Sequence, residues 1–232
     1  MPKISVIIPA YNEEKYILNP LRALQHQSFK DFETIVVDGG STDDTRAIAK
    51  KYAKIVVEKK HGIGLARNVG AKAAKGDILV FIDSDTRPWK GLLEAYSNAF
   101  SGNFIAATGP IYPLEKTGAL MRVGYKLVSI GLVRFSIAVG IPAIVGSNFA
   151  ILKEKFDDVH GFDPSLLTYE DWDLSNRLRG HGRVKFINDA YVYTSIRRVA
   201  AWGMWGYATY HFGNAIRYAF TKKPKSDYGY IR

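Results

Sequence analysis

Residues 78–88 read ILVFIDSDTRP: five apolar residues, then Asp83, Ser84 and Asp85, then a charged turn that stops at Pro88. An apolar run with no polar alternation reads as a strand buried on both faces. Two carboxylates one residue apart at the tip of such a strand need a cationic partner, because an unpaired charge beside a buried sheet is costly. Three earlier runs have the same form: KISVIIPAY (3–11), FETIVVDGG (32–40) and KIVVEK (54–59). Between them lie the amphipathic segments EEKYILNPLRALQHQ, STDDTRAIAKKYA and GIGLARNVGAKAAKG. The second is expected to open as a helix capped by Ser41 or Thr42, with acids in its first turn.

Val- and Ile-rich strands alternating with helices predict right-handed crossovers and an α/β fold, with a mostly parallel central sheet covered by helices on both faces. Ligands of such sheets sit at the carboxyl ends of the strands. Those ends carry Tyr11, Asn12 and Glu13, then Asp38, then Asp83 and Asp85. One crevice would receive them all.

Composition restricts the chemistry. The 232 residues suffice for one large domain with an appendage, and there is no cysteine, so disulfide and thiolate chemistry are excluded and a reducing, cytoplasmic setting is expected. The apolar run near the N-terminus is too short for a signal peptide. The region 127–152 is interrupted by Arg134 and Pro142 and makes a poor membrane span. Net charge is +10, carried mostly by residues 116–232, which hold 17 Lys/Arg against 9 Asp/Glu. That excess suits a phosphate-bearing ligand or an anionic membrane surface.

A dinucleotide fold is set aside because the first strand is followed by PAYNEE, without the glycine-rich turn. The later GIGLAR (62–67) has Arg67 where the fingerprint needs glycine or alanine, and no P-loop lysine follows any strand. The paired aspartates suit a hard divalent cation that keeps several waters and bridges phosphate oxygens.

The series SVIIPAYNEE, IVVDGGSTDDT, GLARNVGAKAAKGDILVFIDSDT and YEDWDLSNRL resembles the family 2 inverting glycosyltransferases of GT-A fold, over roughly residues 3–195. The resemblance implies transfer of a sugar from a UDP- or GDP-linked donor, with Mn²⁺ or Mg²⁺ held by Asp85 and Asp83. It places Pro9, Tyr11, Glu13, Asp38, Arg67 and Ser84 with those aspartates around the nucleotide. Within that site Tyr11 would stack on the base, Asp38 would accept a base N–H, and Arg67 would reach base or phosphate. The family's acidic pair corresponds to Glu170 and Asp171, with Asp171 the expected general base. These two open a predicted short helix ending at Gly180, where a helix N-terminus favours acidic side chains. Gly146, Ser147 and Asn148 correspond to the donor-sugar and acceptor pocket. A histidine that relatives carry after the acidic helix falls here at Thr194 or Ser195, so Arg197 and Arg198 are expected to supply positive charge to the diphosphate.

The chain divides on this reading into a domain at 1–195, with a nucleotide-binding half (1–115) and an acceptor half (116–195), and a C-terminal helical, amphipathic extension at 196–232. After Ile196 there are seven Lys/Arg and one acid, mixed with aromatics such as Trp202, Trp205, Tyr207, Phe212 and Phe220 and with the aliphatic Ile216. Residues 118–140 carry Arg122, Lys126 and Arg134 along apolar sequence. Both segments suit a membrane surface, with packing on each other or across a homodimer as the competing reading. The expected acceptor is a glycan or lipid-linked glycan hydroxyl. A polyprenyl phosphate, already ionised, would not need the acidic pair. A non-catalytic nucleotide-sugar or lipid binder would keep the strand tips without Asp171, a nucleotidyltransferase would need a glycine-rich basic loop after the first strand, and a nucleic-acid partner would leave the aspartates unexplained.

Overall fold

The structure is a computed structural model that describes residues 1, 3–60, 62–100, 103–141 and 143–221. The side chains of Trp205, Tyr207, Phe212 and Ile216, and residues 222–232 of the C-terminal extension, lie outside the described residues.

The strands are β1 (Ile4–Ala10), β2 (Phe32–Asp38), β3 (Lys54–Val57), β4 (Ile78–Ile82), β5 (Thr86–Pro88), β6 (Phe104–Thr108), β7 (Ile111–Pro113), β8 (Asn148–Leu152), β9 (Arg183–Phe186) and β10 (Val192–Thr194). The helices are α1 (Leu18–Gln25), α2 (Thr45–Ala49), α3 (Ile63–Ala73), α4 (Leu92–Ser97), α5 (Ala119–Lys126), α6 (Val133–Ala138), α7 (Lys153–Asp158), α8 (Glu170–Arg177) and α9 (Arg197–Thr221). A π-helical turn, Leu127–Leu132, joins α5 to α6, and α9 is kinked at Gly203.

Among the described residues seven strands form the main sheet, in the order β3-β2-β1-β4-β8-β6-β9. The predicted strands β1 to β4 are mutually parallel where they pair, whereas β8 runs antiparallel to both β4 and β6. Strand order reverses at the β1/β4 boundary, which is where a crevice opens at the carboxyl ends. A second, three-stranded sheet, β5-β10-β7, caps that end and pairs Thr194 with Thr86, one residue beyond Asp85.

Every residue of β4 is buried, as its unbroken apolar run predicts. Alternate side chains of β1 feed two cores: Ile4, Val6 and Ile8 meet Leu21, Leu24, Leu92 and Tyr96 on one face, and Ile7 joins Leu79, Phe81 and Phe156 on the other. Each large apolar side chain so buried contributes about 1.5–3 kcal/mol. Helix α3 lies hard against the sheet because Gly70 lacks a Cβ, which would stand 2.4 Å from Ile7 Cγ2. One turn earlier on the same helix, Arg67 is thereby pressed toward the strand ends.

Local expectations fail where loop chemistry competes with helix capping. Helix α2 starts at Thr45, after Asp44, rather than at Ser41 or Thr42. Ser41 Oγ instead accepts the Asn12 N–H (2.9 Å), and the Thr42 N–H donates to Asn12 Oδ1 (2.8 Å). These bonds tie the loops after β1 and β2 together. Asn12 sits at φ 52° to make them, a conformation that asparagine tolerates.

Candidate active site

A pocket of about 400 Å³ opens beside those tied loops, lined by Tyr11, Gly39, Gly40, Ser41, Arg46 and Lys59. Asp38 lies beneath it, fully buried. Its carboxylate accepts the Gly40 and Ser41 N–H groups and two bonds from Arg46, at 3.0 and 2.6 Å. Asp38 therefore shapes the floor of the pocket and aims Arg46. Pro9 is buried within β1, in register with Val37, rather than on a rim. Arg46 and Lys59, which the strand-tip reading did not single out, supply the positive charge here.

The two acidic clusters are joined by Arg67. That side chain is 2% exposed, and its guanidinium donates to Glu170 Oε1 (2.7 Å), Asp83 Oδ1 (2.9 Å) and the Gly146 carbonyl (3.0 Å), lying over the Phe162 ring at 5.3 Å. The expectation that Arg67 reaches a base or phosphate is not met: its donors face inward, and a buried cation takes carboxylates before solvent. Gly146 closes the circuit by donating its N–H to Asp171 Oδ2 (3.0 Å), while the Trp172 N–H donates to Oδ1 (2.8 Å). The tip of β4 and the start of α8 thus share one wall. A Cβ on Gly146 would stand 2.9 Å from the Arg67 guanidinium, so the space a side chain would need at this position is taken by a protein cation.

Within this wall the acidic pair is unequal. Glu170 is buried and turned into Arg67; burial and the neighbouring Asp171 push its carboxyl up to about 7, against the pull of Arg67. A helix N-terminus favours the charged form, but here desolvation outweighs it. Asp171 is half-buried and held by two backbone N–H groups in a fixed orientation.

Asp85 follows Asp83 by two residues at the same strand tip. Its side chain is 15% exposed, and burial together with Asp83 pushes its carboxyl up to about 7, with Arg197 opposing and Glu13 adding to the shift. Arg197 stands 3.3 Å from Asp85 and makes a two-pronged pair with Glu13 at 2.9 and 2.6 Å. Glu13 is thus the partner of Arg197 in this arrangement and is only 13% exposed. Arg198, half-buried, lies close enough to oppose the Asp85 shift as well. Thr194 Oγ1 comes to 3.4 Å from Asp85 and bonds Thr86, whereas the Ser195 hydroxyl bonds Glu115, so of these two positions Thr194 is the one whose side chain approaches Asp85.

A divalent cation fits this donor set. Asp83 and Asp85 offer hard oxygens, and a cation would relieve the burial and the neighbouring charge that push the Asp85 carboxyl up. Among the described residues no third acidic or histidine side chain completes a metal cage. The remaining ligands would be water and phosphate oxygens, as Mg²⁺ and Mn²⁺ accept.

The acceptor-pocket expectation divides. Ser147 is half-buried and Ser84 is buried between the two aspartates. Asn148 is fully buried, and its amide is used up inside: Oδ1 accepts the Tyr96 hydroxyl (2.7 Å), and Nδ2 donates to the carbonyls of Ala190 (2.9 Å) and Pro110 (3.2 Å). It pins β8 to the segments around β7 and β10, and does not face a sugar. Asn148→Ala is expected to cost roughly 2–4 kcal/mol in urea unfolding, because three buried groups lose their partner, while donor KM of the folded fraction stays unchanged. A KM rise without loss of stability would restore Asn148 to the pocket.

The C-terminal helix returns to this end of the molecule. The Tyr218 hydroxyl donates to Asp173 Oδ1 (2.8 Å), and Asn214 bonds Thr168 (3.3 Å), so the later part of α9 reaches the first turn of α8 and the loop before it.

A family model described as glycosyl transferase family 2 matches residues 5–159. Over 90 residues the chain is 38% identical to the putative glycosyltransferase EpsH of Bacillus subtilis, covering 36% of this chain and 26% of EpsH. Over 94 residues it is 44% identical to the poly(ribitol-phosphate) beta-N-acetylglucosaminyltransferase TarS of Staphylococcus aureus, covering 37% of this chain and 16% of TarS. The chain therefore matches well under half the length of these curated relatives. Among solved structures, S. aureus TarS 1-349 in complex with UDP-GlcNAc superposes with a TM-score of 0.67 at 26% identity, covering 83% of this chain and 58% of that one. The mannosyltransferase PcManGT from Pyrobaculum calidifontis, in complex with GDP-Man and Mn²⁺, gives 0.69 at 21% identity, covering 93% and 64%; that likeness is one of fold.

Proposed function

The chain belongs to glycosyl transferase family 2, and from that membership we propose that it moves a sugar from a nucleotide-diphosphate donor to an acceptor hydroxyl, with inversion at the anomeric carbon. The observation that carries this reading is the Arg67 bridge. One buried guanidinium holds Asp83, of the diphosphate side, and Glu170, of the acceptor side, within hydrogen-bonding distance of itself.

The nucleotide would enter the pocket lined by Tyr11, Gly39 to Ser41, Arg46 and Lys59. There Tyr11 offers an aromatic face, and the two cations offset the donor's negative charge. Asp83 and Asp85 would hold Mn²⁺ or Mg²⁺, which when bound neutralises charge gathering on the departing diphosphate. Arg197 and Arg198 add fixed positive charge beside Asp85. Arg197 is already tied to Glu13, so it reaches that position without an ordering cost at the moment of reaction.

On the other side the acceptor hydroxyl must lose a proton as it attacks. We assign this role to Asp171. Its two backbone bonds leave acceptor capacity on both oxygens, because an ionised carboxylate has about four lone-pair sites. Glu170 points away from that role, into Arg67, and serves to hold the wall. An acidic pair built this carefully favours a hydroxyl acceptor, such as a glycan or lipid-linked glycan, over a polyprenyl phosphate that arrives ionised.

Thermal unfolding with a panel of UDP- and GDP-sugars, with and without Mn²⁺, tests the donor side. A donor present at a hundred times its Kd is expected to stabilise the protein by about 2.7 kcal/mol. If no nucleotide sugar shifts the transition in the presence of either metal, the proposal is wrong at its first step.

A further inference from the structure

The helical segment from α5 through α6 contributes little to the core and exposes a row of large apolar side chains. Val123 is 53% exposed, Leu127 64%, Leu132 62%, Phe135 66% and Val139 53%. Their spacing of four, five, three and four residues does not suit a plain α-helix, on which Leu132 would fall about 140° round from Leu127. The π-helical turn spans that five-residue step, Leu127–Leu132. Bonding to i+5 lets one extra residue into the turn, so Leu132 returns close to the line of Leu127 and carries Phe135 and Val139 with it. The five side chains then share one stripe, roughly 90° wide.

The same correction aligns the cations. Arg122, Lys126 and Arg134 each directly precede a stripe residue, and all three are exposed, with Arg134 lying over the Phe186 ring at 5.7 Å. They form a basic flank about 100° from the apolar stripe. From Lys116 to Lys153 the sequence contains no acid at all.

We propose that this stripe and its basic flank seat the protein on an anionic lipid surface, lying in the interface. An apolar stripe bordered by cations, without acids, matches acyl chains bordered by anionic headgroups. A second copy of the chain is a worse match, because a two-fold contact would set one basic flank against another with no acid in the segment to pair it. No helix among the described residues is long and apolar enough to cross a membrane.

Both ends of the segment join the candidate active site. Before α5, Glu115 accepts bonds from Ser195 and from the Ile196 N–H, next to Arg197. After α6 the chain runs through Ile144, whose N–H donates to Ser175, to Gly146 between Arg67 and Asp171. Seated this way, the lipid surface lies beside the acceptor side of the cleft. The inference goes beyond the transfer reaction and does not rest on it.

Co-sedimentation of the full chain with vesicles tests the seat. The parent is expected to bind vesicles of phosphatidylglycerol and phosphatidylcholine, to bind pure phosphatidylcholine weakly, and to be released from the mixed vesicles by salt. Leu127→Glu with Phe135→Glu is expected to lower the partition coefficient at least roughly tenfold, with an unchanged melting temperature, since both side chains are exposed in the parent. Deleting Gly131, which returns the turn to α-helical register, is expected to weaken binding while every apolar side chain is kept. No binding by the parent, or equal binding by the double variant, overturns the proposal. So does a parent that forms a dimer which Phe135→Glu splits and that ignores vesicles, since the face then belongs to a second copy.

Discussion

Asp171→Asn is expected to lower transfer turnover by about 10²–10⁴-fold, the usual worth of a positioned general base, and to leave the thermal shift produced by a nucleotide sugar as it was. The amide keeps the shape of the carboxylate and one oxygen to accept either the Gly146 or the Trp172 N–H. It turns an NH₂ toward the other, which costs about 1 kcal/mol of stability. Glu170→Gln makes the informative comparison. Glu170 is spent on Arg67 at 2.7 Å, so its loss should loosen the wall and reduce turnover far less than the loss of Asp171. A larger defect for Glu170→Gln would reverse the two roles. A parent that binds donor but turns nothing over with any acceptor, and is matched in this by Asp171→Asn, would be a nucleotide-sugar binder.

How much of this was legible beforehand depends on how local the signal is. The four strands β1 to β4 announce themselves as apolar runs, and their tips fall at one crevice because parallel βα units force the carboxyl ends together. The strands of the small sheet β5-β10-β7 are three residues each and partly polar, and they pair across more than a hundred residues in places, as with Thr86 and Thr194; β8 is apolar, but its antiparallel place between β4 and β6 is set by pairing distant in sequence. No periodicity reveals such pairs. Asn148 shows the same difficulty at one position: a polar residue after Gly146 and Ser147 suggests a ligand, and only the fold brings Tyr96, Pro110 and Ala190 to its amide. Arg67 shows the difficulty on a helix: the resemblance sends it to base or phosphate, but Gly70 lets α3 lie close to the sheet, and the side chain lies buried between two carboxylates. The sequence does record this, in the glycine three residues later.

That buried guanidinium supports the other large expectation. Arg67→Met keeps most of the volume and the contact with Phe162, but leaves Glu170 buried without its cation and Asp83 without its tether. Breaking a buried pair from one side costs about 3–5 kcal/mol when the remaining charge cannot be neutralised. Glu170 has an escape, because its carboxyl already stands at about 7 in the parent, and without Arg67 it rises further. Its folded value lies above its unfolded one, so the stability it contributes is fully present below the unfolded value and is lost as pH rises through the folded value. The variant takes up its proton and is spared near pH 5, whereas by roughly pH 8 it must either ionise a buried carboxylate or hold a proton against the solution. Urea unfolding should therefore find the gap between variant and parent widening from the lower pH to the higher. Glu170→Gln placed in the Arg67→Met background should close most of that gap, since it removes the charge left behind. A gap independent of pH, and untouched by the second substitution, would mean that Arg67 acts through packing on Phe162. The two acidic clusters would then owe their common wall to the backbone at Gly146 alone.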